Sequence, residues 1–524
     1  MTATLPPAEA ASAESMARHQ ARRARLLAPI TVVSAVVVGL LAGKLALVNQ
    51  GPLIFGLAAI PLLIFVWRSP RNGVLTLLAI AVLFEQYPYS AGSRPGAATS
   101  RIPLFGSVVK GSGISAVELL LLVTLTVWLM QGAVKHRWNP PRSPLAKSVA
   151  ALLCLVVVAI GVGAANGSAG SQVVLYEVRP WLYLGSSYLL ASSFLRSRTD
   201  ISLVLWVLVL GSGFKALQGV QILMSLNGEK VEAILSHEES YFFGVFLMLV
   251  LALWLFGVRG RLRTVGTLLA PLVLYANMAN ARRTAWAIIG IAVLLLFGVA
   301  YSSLPDRRRM LRVVAVVVLA VSAVYFPMYW NKSGTLAQPA RALRAQSSPD
   351  ARDRDSNLYR DQEDANLHYN IRKQYGLGKG FGPYIDYALP MIDISSFDPY
   401  VRWLPHNSVL DLWMRMGTQG MIVFLMMIGT GIIRAAGLAR SPDRTLAVLG
   451  AVTVCALAAY VVQGNGDLGF FWFRIALCMG TLLGAVEASL RLPRPPAEDA
   501  SGERALPEQA GVPTPPTRQP VPVT

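Results

Sequence analysis

Cysteine is scarce in this chain, and so is charge. Three cysteines occur in 524 residues, Cys154, Cys455 and Cys478, each inside an apolar run. They supply neither a disulfide framework nor the paired spacing of a thiolate metal site. Only 14% of residues are charged and only 28 are acidic, whereas a soluble domain carries about a quarter charged residues. HExxH, paired CxxC and clustered aspartates are missing, so no metal site is indicated. The GxxxxGK[ST] phosphate loop is missing too. No fixed-period repeat occurs, which disfavours transporters built from inverted repeats. The N-terminus carries no small-residue cleavage site of a secretory signal, and its first apolar run is read as a retained helix.

Apolar residues are plentiful: 54% of the chain is hydrophobic, and the mean hydropathy is +0.50. They fall in separate runs of roughly 17–22 residues, the length that crosses a bilayer as helix. Runs such as "SVAALLCLVVVAIGVGAA" do not alternate as the strands of a membrane barrel would. The fold class expected is an all-α polytopic membrane protein with about 12–14 transmembrane helices. Spans fill 29–329 and 408–490, and a large polar loop over 330–407 lies between them. The segments 1–28 and 491–524 are too poor in apolar residues to fold and are expected to be disordered tails.

The net charge of +19 raises the question of nucleic acid, and position answers it. Most Lys and Arg sit in short clusters between spans, such as "ARHQARRAR", "VRGRLR" and "PDRRRMLR". That is the pattern of cytoplasmic loops and of contact with lipid headgroups. Both termini are therefore expected in the cytoplasm, and the 330–407 loop on the outer face.

Against that topology a few charges stand out. Arg282 and Arg283 start a helix on the outer face in "NMANARRTAW". They read either as a pair snorkelling to headgroups or as an anion site, since guanidinium binds phosphate oxygens bidentately. Arg179, in "LYEVRPWLYLG", has Glu177 two residues earlier and reads as a helix-end ion pair or a second anion ligand. Lys215, deeper in a span, needs a partner or a watery cavity and is a further candidate anion ligand.

The large loop predicts a helix ending near Gln374, with Leu358, Leu367 and Ile371 at near-helical spacing. Asp355 or Ser356 would cap it and Gly376 would stop it. "GLGKGFGPY" follows as a glycine-rich turn, by composition a connector rather than a phosphate cradle. His406 and Asn407 then precede a helix containing Asp411 and Arg415. His406 reads as a local helix-start hydrogen-bonder or as a general base poised near neutral pH.

Taken together, "ANARRTAW", "SNLYRDQEDANL", "GLGKGFGPY" and "HNSVLDLWMRMGTQG" resemble the O-antigen ligase and O-antigen polymerase superfamily. The matching positions are Arg282 or Arg283, Arg360, Gly378 with Gly380, His406 with Asn407, Leu410, Gly417 and Gly420, within roughly residues 170 to 435. The resemblance implies a multi-pass glycosyltransferase of the bacterial inner membrane with its active site outside the cytoplasm. Its donor would be a glycan on a polyprenyl (undecaprenyl) diphosphate, and its acceptor a hydroxyl of a glycan, lipid or protein. His406 would be the catalytic base, and Arg282 or Arg283 would hold the diphosphate. Arg179 and Lys215 are the cations nearest to the family's upstream position. "SHEESYFF", with His237, Glu238 and Glu239, occupies a loop where the resemblance implies less charge and reads as a local variation or an acceptor contact. Arg360, Tyr359, Tyr384, Gly378, Gly380 and Asn407 would support the site and exclude water. The reaction would be inverting and would need no metal or other cofactor. A polysaccharide polymerase of the same superfamily and a transporter of lipid-linked oligosaccharide are the alternatives.

Overall fold

A backbone surrounded by lipid must pair its own N–H and C=O groups, and uncharged apolar runs do so as helices. The computed structural model describes residues 51–493 except 88–89, 92–93, 108–113, 135–139, 230, 232 and 395–399. The first bundle helices are α1 (Gly51–Arg68), α2 (Arg71–Leu83), α3 (Ala116–Val134), α4 (Pro144–Ala165), α5 (Ser171–Phe194) and α6 (Arg198–Ser225). They are followed by α7 (Glu239–Leu255), α8 (Arg261–Ala279), α9 (Arg283–Ser303) and α10 (Arg308–Tyr329). Two helices of the polar loop, α11 (Gln338–Ser347) and α12 (Ala351–Lys373), precede α13 (Ser408–Leu438), α14 (Arg444–Gly466) and α15 (Phe473–Ser489). Among the described residues, strand pairing is confined to Ser90–Ala91 against Arg94–Pro95 and one bridge between Ser107 and Ser115. The protein is an all-α, multi-pass membrane protein.

Each described helix except α11 and α12 falls within the stretches 29–329 and 408–490 expected to hold the spans, and residues 29–50 lie outside the described residues. Among the described residues, eight helices are long and apolar enough to cross a membrane: α3, α4, α6, α8, α9, α10 with its preceding turn, α13 and α14. The others are shorter or carry buried charge. Every residue of α15 is buried, so its surface meets protein rather than lipid. It packs most closely on α5. A Cβ at Gly480 would lie 2.2 Å from the Leu184 carbonyl oxygen, and one at Gly484 2.6 Å from that of Tyr188. Small residues four apart let two helices touch backbone to backbone.

The bundle has two chemically distinct ends. At one, the short basic loops lock together: Arg71 pairs with Asp200 at 2.6 Å and Arg198 with Asp443 at 2.8 Å. There Arg307 also donates to the Leu255 carbonyl at 2.6 Å, and Arg444 to that of Gly257 at 3.0 Å. The starts of α7, α9, α13 and α15 and the ends of α8 and α14 lie at the other end, beneath α11 and α12.

The glycine-rich segment is neither a loose connector nor a phosphate cradle. It is backbone threaded between α4 and a break in α13. Gly417 has φ 65° and ψ −171°, which interrupts the helix and frees carbonyl groups. Those carbonyls are taken up by the segment: Lys379 N–H donates to Met414 at 2.7 Å and Gly380 N–H to Arg415 at 3.0 Å. Phe381 N–H reaches the Ala159 carbonyl of α4 at 3.1 Å. Irregular backbone is tolerated at this depth because it is buried in protein. Only glycine adopts the Gly417 conformation without strain, and a Cβ there would lie 1.9 Å from the Gly376 carbonyl oxygen. Gly417→Ala should therefore destabilise the protein by at least about 1–3 kcal/mol from backbone strain, read as a lowered thermal midpoint in detergent. An unchanged midpoint would show that the break can be healed.

Candidate functional site

Sequence spacing sets one wall of the site. On α12, Asp353, Ser356, Arg360 and Glu363 recur three to four residues apart and turn toward the bundle. The stripe continues in Leu367 and Ile371, which are buried with Ile385 and Met414. Leu358 lies off this face and is 56% exposed, contrary to the expected periodicity. The helix also starts earlier than its sequence suggests. Asp350, just after Pro349, caps it by accepting from Asp353 N–H at 2.9 Å, in place of Asp355 or Ser356. It ends at Lys373.

Beneath this face lies a cavity of about 260 Å³ lined by His237, Arg282, Arg283, Ser356, Arg360, His406 and Asp467, among others. Four of the residues singled out in the sequence, Arg282, Arg283, Arg360 and His406, thus meet at one place. They come from the start of α9, the middle of α12 and the turn before α13. Arg283 ties α9 to α12, donating to Asn357 Oδ1 at 3.1 Å and Ser356 Oγ at 3.3 Å, with Asp353 at 3.7 Å. Among the described residues, no carboxylate lies within ion-pair distance of Arg360.

His406 is held from several sides. Its backbone N–H donates to Glu363 Oε2 at 2.8 Å, and its Nδ1 lies 3.3 Å from Glu363 Oε1. Its carbonyl accepts from Leu468 N–H at 2.8 Å. Tyr359 stands edge-on to the imidazole, with ring centroids 5.7 Å apart. Asn407 accepts from Leu410 N–H at 3.2 Å, capping α13, and donates to Asp364 at 3.3 Å. Burial alone would lower the His406 pKa, but the Glu363 carboxylate outweighs it and raises it above the usual histidine value.

A second imidazole faces the same cavity. His237 Nδ1 lies 2.8 and 2.9 Å from the two oxygens of Asp467. Burial would raise the Asp467 carboxyl, yet His237, with Arg282 and Arg360 farther off, holds it well below the usual carboxylate range. His237 is therefore a cavity residue rather than a local variation in a charged loop.

Arg179 and Lys215 do not line the cavity, which corrects the expectation that they help to bind an anion. Arg179 pairs with Glu118 on α3 at 2.8 Å, not with Glu177. Glu177 pairs instead with Arg415 at 2.6 Å. Lys215 is fully buried, pairs with Glu85, and lies 3.7 Å from Glu239. Arg474 completes that cluster, 2.9 Å from Glu238 and 2.8 Å from Glu239. Each of these cations already has carboxylate partners. Gly380 acts through the backbone packing described above, and Gly378 shares it, since a Cβ there would lie 2.4 Å from the Gly417 nitrogen. Tyr384 stacks on Trp403 with centroids 4.5 Å apart and is not among the residues lining the cavity.

Sequence reasoning passed over Glu363, Asp467 and Arg341, the last a residue of α11 that also lines the cavity and lies 3.1 Å from Asp350. Glu363 lies three residues after Arg360, so helical spacing places it on the same face. No comparable signal marks Asp467, which reaches the site only through the fold.

An apolar groove of about 480 Å³ adjoins the cavity. Trp286 and Ile289 of α9, Phe326 of α10, Leu343 of α11 and Val462 of α14 line it. Arg283 and Arg360 border both spaces. Beside it, α10 buries only Leu311. Compared with known protein families and with curated proteins, the chain matches none.

Proposed function

We propose that this protein is a glycosyltransferase of the O-antigen ligase type. It would move a glycan from a polyprenyl diphosphate carrier to an acceptor hydroxyl. The observation that carries this reading is the join between a cationic cavity and an apolar groove, through Arg283 and Arg360. A prenyl diphosphate needs that combination: guanidinium groups for the head and a lipid-like trough for the tail. By the positive-inside rule, the end carrying the basic loops faces the cytoplasm and the cavity faces outward.

In the proposed reaction, His406 Nε2 accepts the proton of the acceptor hydroxyl. The oxygen attacks C1 of the sugar, and the bond from C1 to the diphosphate oxygen breaks, its electron pair leaving with the diphosphate. Arg282 and Arg360 neutralise the charge that grows on the leaving group, and Arg283 holds α12 over the site. Attack opposite the leaving group inverts the anomeric centre.

The test is direct. Protein in liposomes, given a polyprenyl-diphosphate glycan and a hydroxyl acceptor, should release polyprenyl diphosphate and glycosylate the acceptor. Movement of intact donor without consumption would sink the proposal in favour of a transporter. Within this assay, Arg360→Lys should lower kcat/KM about 10–100-fold, the loss of one charge-assisted hydrogen bond of about 1.5–3 kcal/mol. Unchanged kinetics would place the diphosphate elsewhere.

A further inference from the structure

We propose that Glu363 is the positioning residue for His406: it grips the ring at Nδ1 and the backbone at N–H, leaving Nε2 toward the cavity as proton acceptor. The inference rests on the glycosyl-transfer reading for its kinetic consequence, but the grip is measurable without it.

Three observations carry it. First, the two carboxylate oxygens serve one residue, Oε2 at 2.8 Å from the backbone N–H and Oε1 at 3.3 Å from Nδ1. The backbone contact holds the carboxylate in place and the Nδ1 contact sets the tautomer, because an Nδ1–H donated to a carboxylate leaves Nε2 as the free lone pair. Second, the Glu363 side chain is 5% exposed, and among the described residues its ion-pair and hydrogen-bond partner is His406. A carboxylate this deeply buried is costly unless it is paired. Third, the next residue repeats the pattern, with Asp364 accepting from Asn407 at 3.3 Å. Consecutive acids on α12 thus secure consecutive residues at the entry to α13, and Tyr359, one turn earlier, closes on the ring edge.

The charged groups facing the imidazole are Glu363 and Arg360 from α12 and Asp467 from the turn after α14; Arg360 opposes ring protonation, whereas Glu363 and Asp467 favour it. When His406 takes the acceptor proton, the imidazolium forms beside a carboxylate already in place. Losing that carboxylate weakens the base and frees the ring. The donor diphosphate, held by arginines, should bind as before.

The experiment uses the full chain in liposomes, as wild type, Glu363→Gln and Glu363→Asp. Diethyl pyrocarbonate modifies neutral imidazole, so peptide-resolved labelling of His406 against pH follows its protonation whether or not transfer occurs. The wild-type midpoint should lie above the ordinary histidine value, Glu363→Gln should move it to lower pH, and Glu363→Asp should recover part of the shift. In the transfer assay, Glu363→Gln should lower kcat about 10–100-fold, part of what a general base contributes, with the donor KM little changed. An ordinary wild-type midpoint, or a Glu363→Gln curve that coincides with wild type, overturns the grip even if one variant fails to fold. A shifted labelling curve in a protein that transfers no glycan supports the grip and removes the glycosyltransferase reading instead. Transfer with unaltered kcat in Glu363→Gln overturns the positioning role while leaving that reading intact.

Discussion

His406→Ala is expected to lower glycosyl transfer about 10²–10⁴-fold, the usual contribution of a positioned general base, while the protein inserts and purifies as wild type does. The residue sits in a turn, 29% exposed to the cavity. Its backbone N–H contact with Glu363 and carbonyl contact with Leu468 survive truncation of the ring. The loss should therefore fall on kcat rather than on folding. The wild-type pH profile makes the same point from another direction. Only neutral imidazole accepts a proton, so the rate should climb as pH rises through the elevated His406 pKa. The linked stability runs the other way. A raised pKa means that the Glu363–His406 pair contributes fully below the ordinary histidine value and is lost as pH rises through the elevated one. Alkaline conditions should thus bring faster chemistry and a slightly less stable site. Turnover retained in His406→Ala would remove His406 from the base role and turn attention to His237, the other imidazole facing the cavity.

The bundle was largely legible in the sequence because lipid imposes a simple rule: an apolar run of sufficient length becomes a helix. The gathering of Arg282, Arg283, Arg360 and His406 was legible too, because the ordered spans put the start of α9, the turn before α13 and the polar loop that carries Arg360 at the same end of the bundle. Partner choice across long separations was not. Arg179 and Lys215 resemble the site arginines in one dimension, as cations in or beside apolar runs. What takes them away from the cavity is a carboxylate elsewhere in the bundle: Glu118 for Arg179, and Glu85, 130 residues earlier, for Lys215. The glycine-rich segment misled for a related reason. Composition reports that its backbone adopts unusual angles, but not that α13 breaks at Gly417 to receive it. Arg415 passed as part of an amphipathic helix start, although it is the charge on which the architecture of the loop most depends.

Arg415→Leu should therefore be the most damaging single change to folding. The guanidinium is 0% exposed and lies 2.6 Å from Glu177 of α5 and 3.2 Å from Asp411 one turn earlier. Its remaining N–H groups donate to the carbonyls of Pro383 at 2.7 Å, Trp403 at 3.0 Å and Gly380 at 3.3 Å. One side chain thus joins α5, α13 and both ends of the segment leading from the glycine run toward His406. Leucine would leave two buried carboxylates without their cation, and breaking such a buried pair costs about 3–5 kcal/mol. Arg415→Lys should be intermediate, since an ammonium keeps the charge but lacks the planar fork that reaches three carbonyls. The control is Glu177→Gln combined with Arg415→Leu, which removes one stranded carboxylate together with the cation. If uncompensated charge dominates, the double variant should be more stable than Arg415→Leu alone. If the lost carbonyl bonds dominate, it should be no better. Thermal midpoints in detergent decide between these outcomes, and a wild-type midpoint in Arg415→Leu would contradict both. His406 supplies a second readout. It lies three residues beyond Trp403, so a loosened segment should also blur the pH dependence of its labelling.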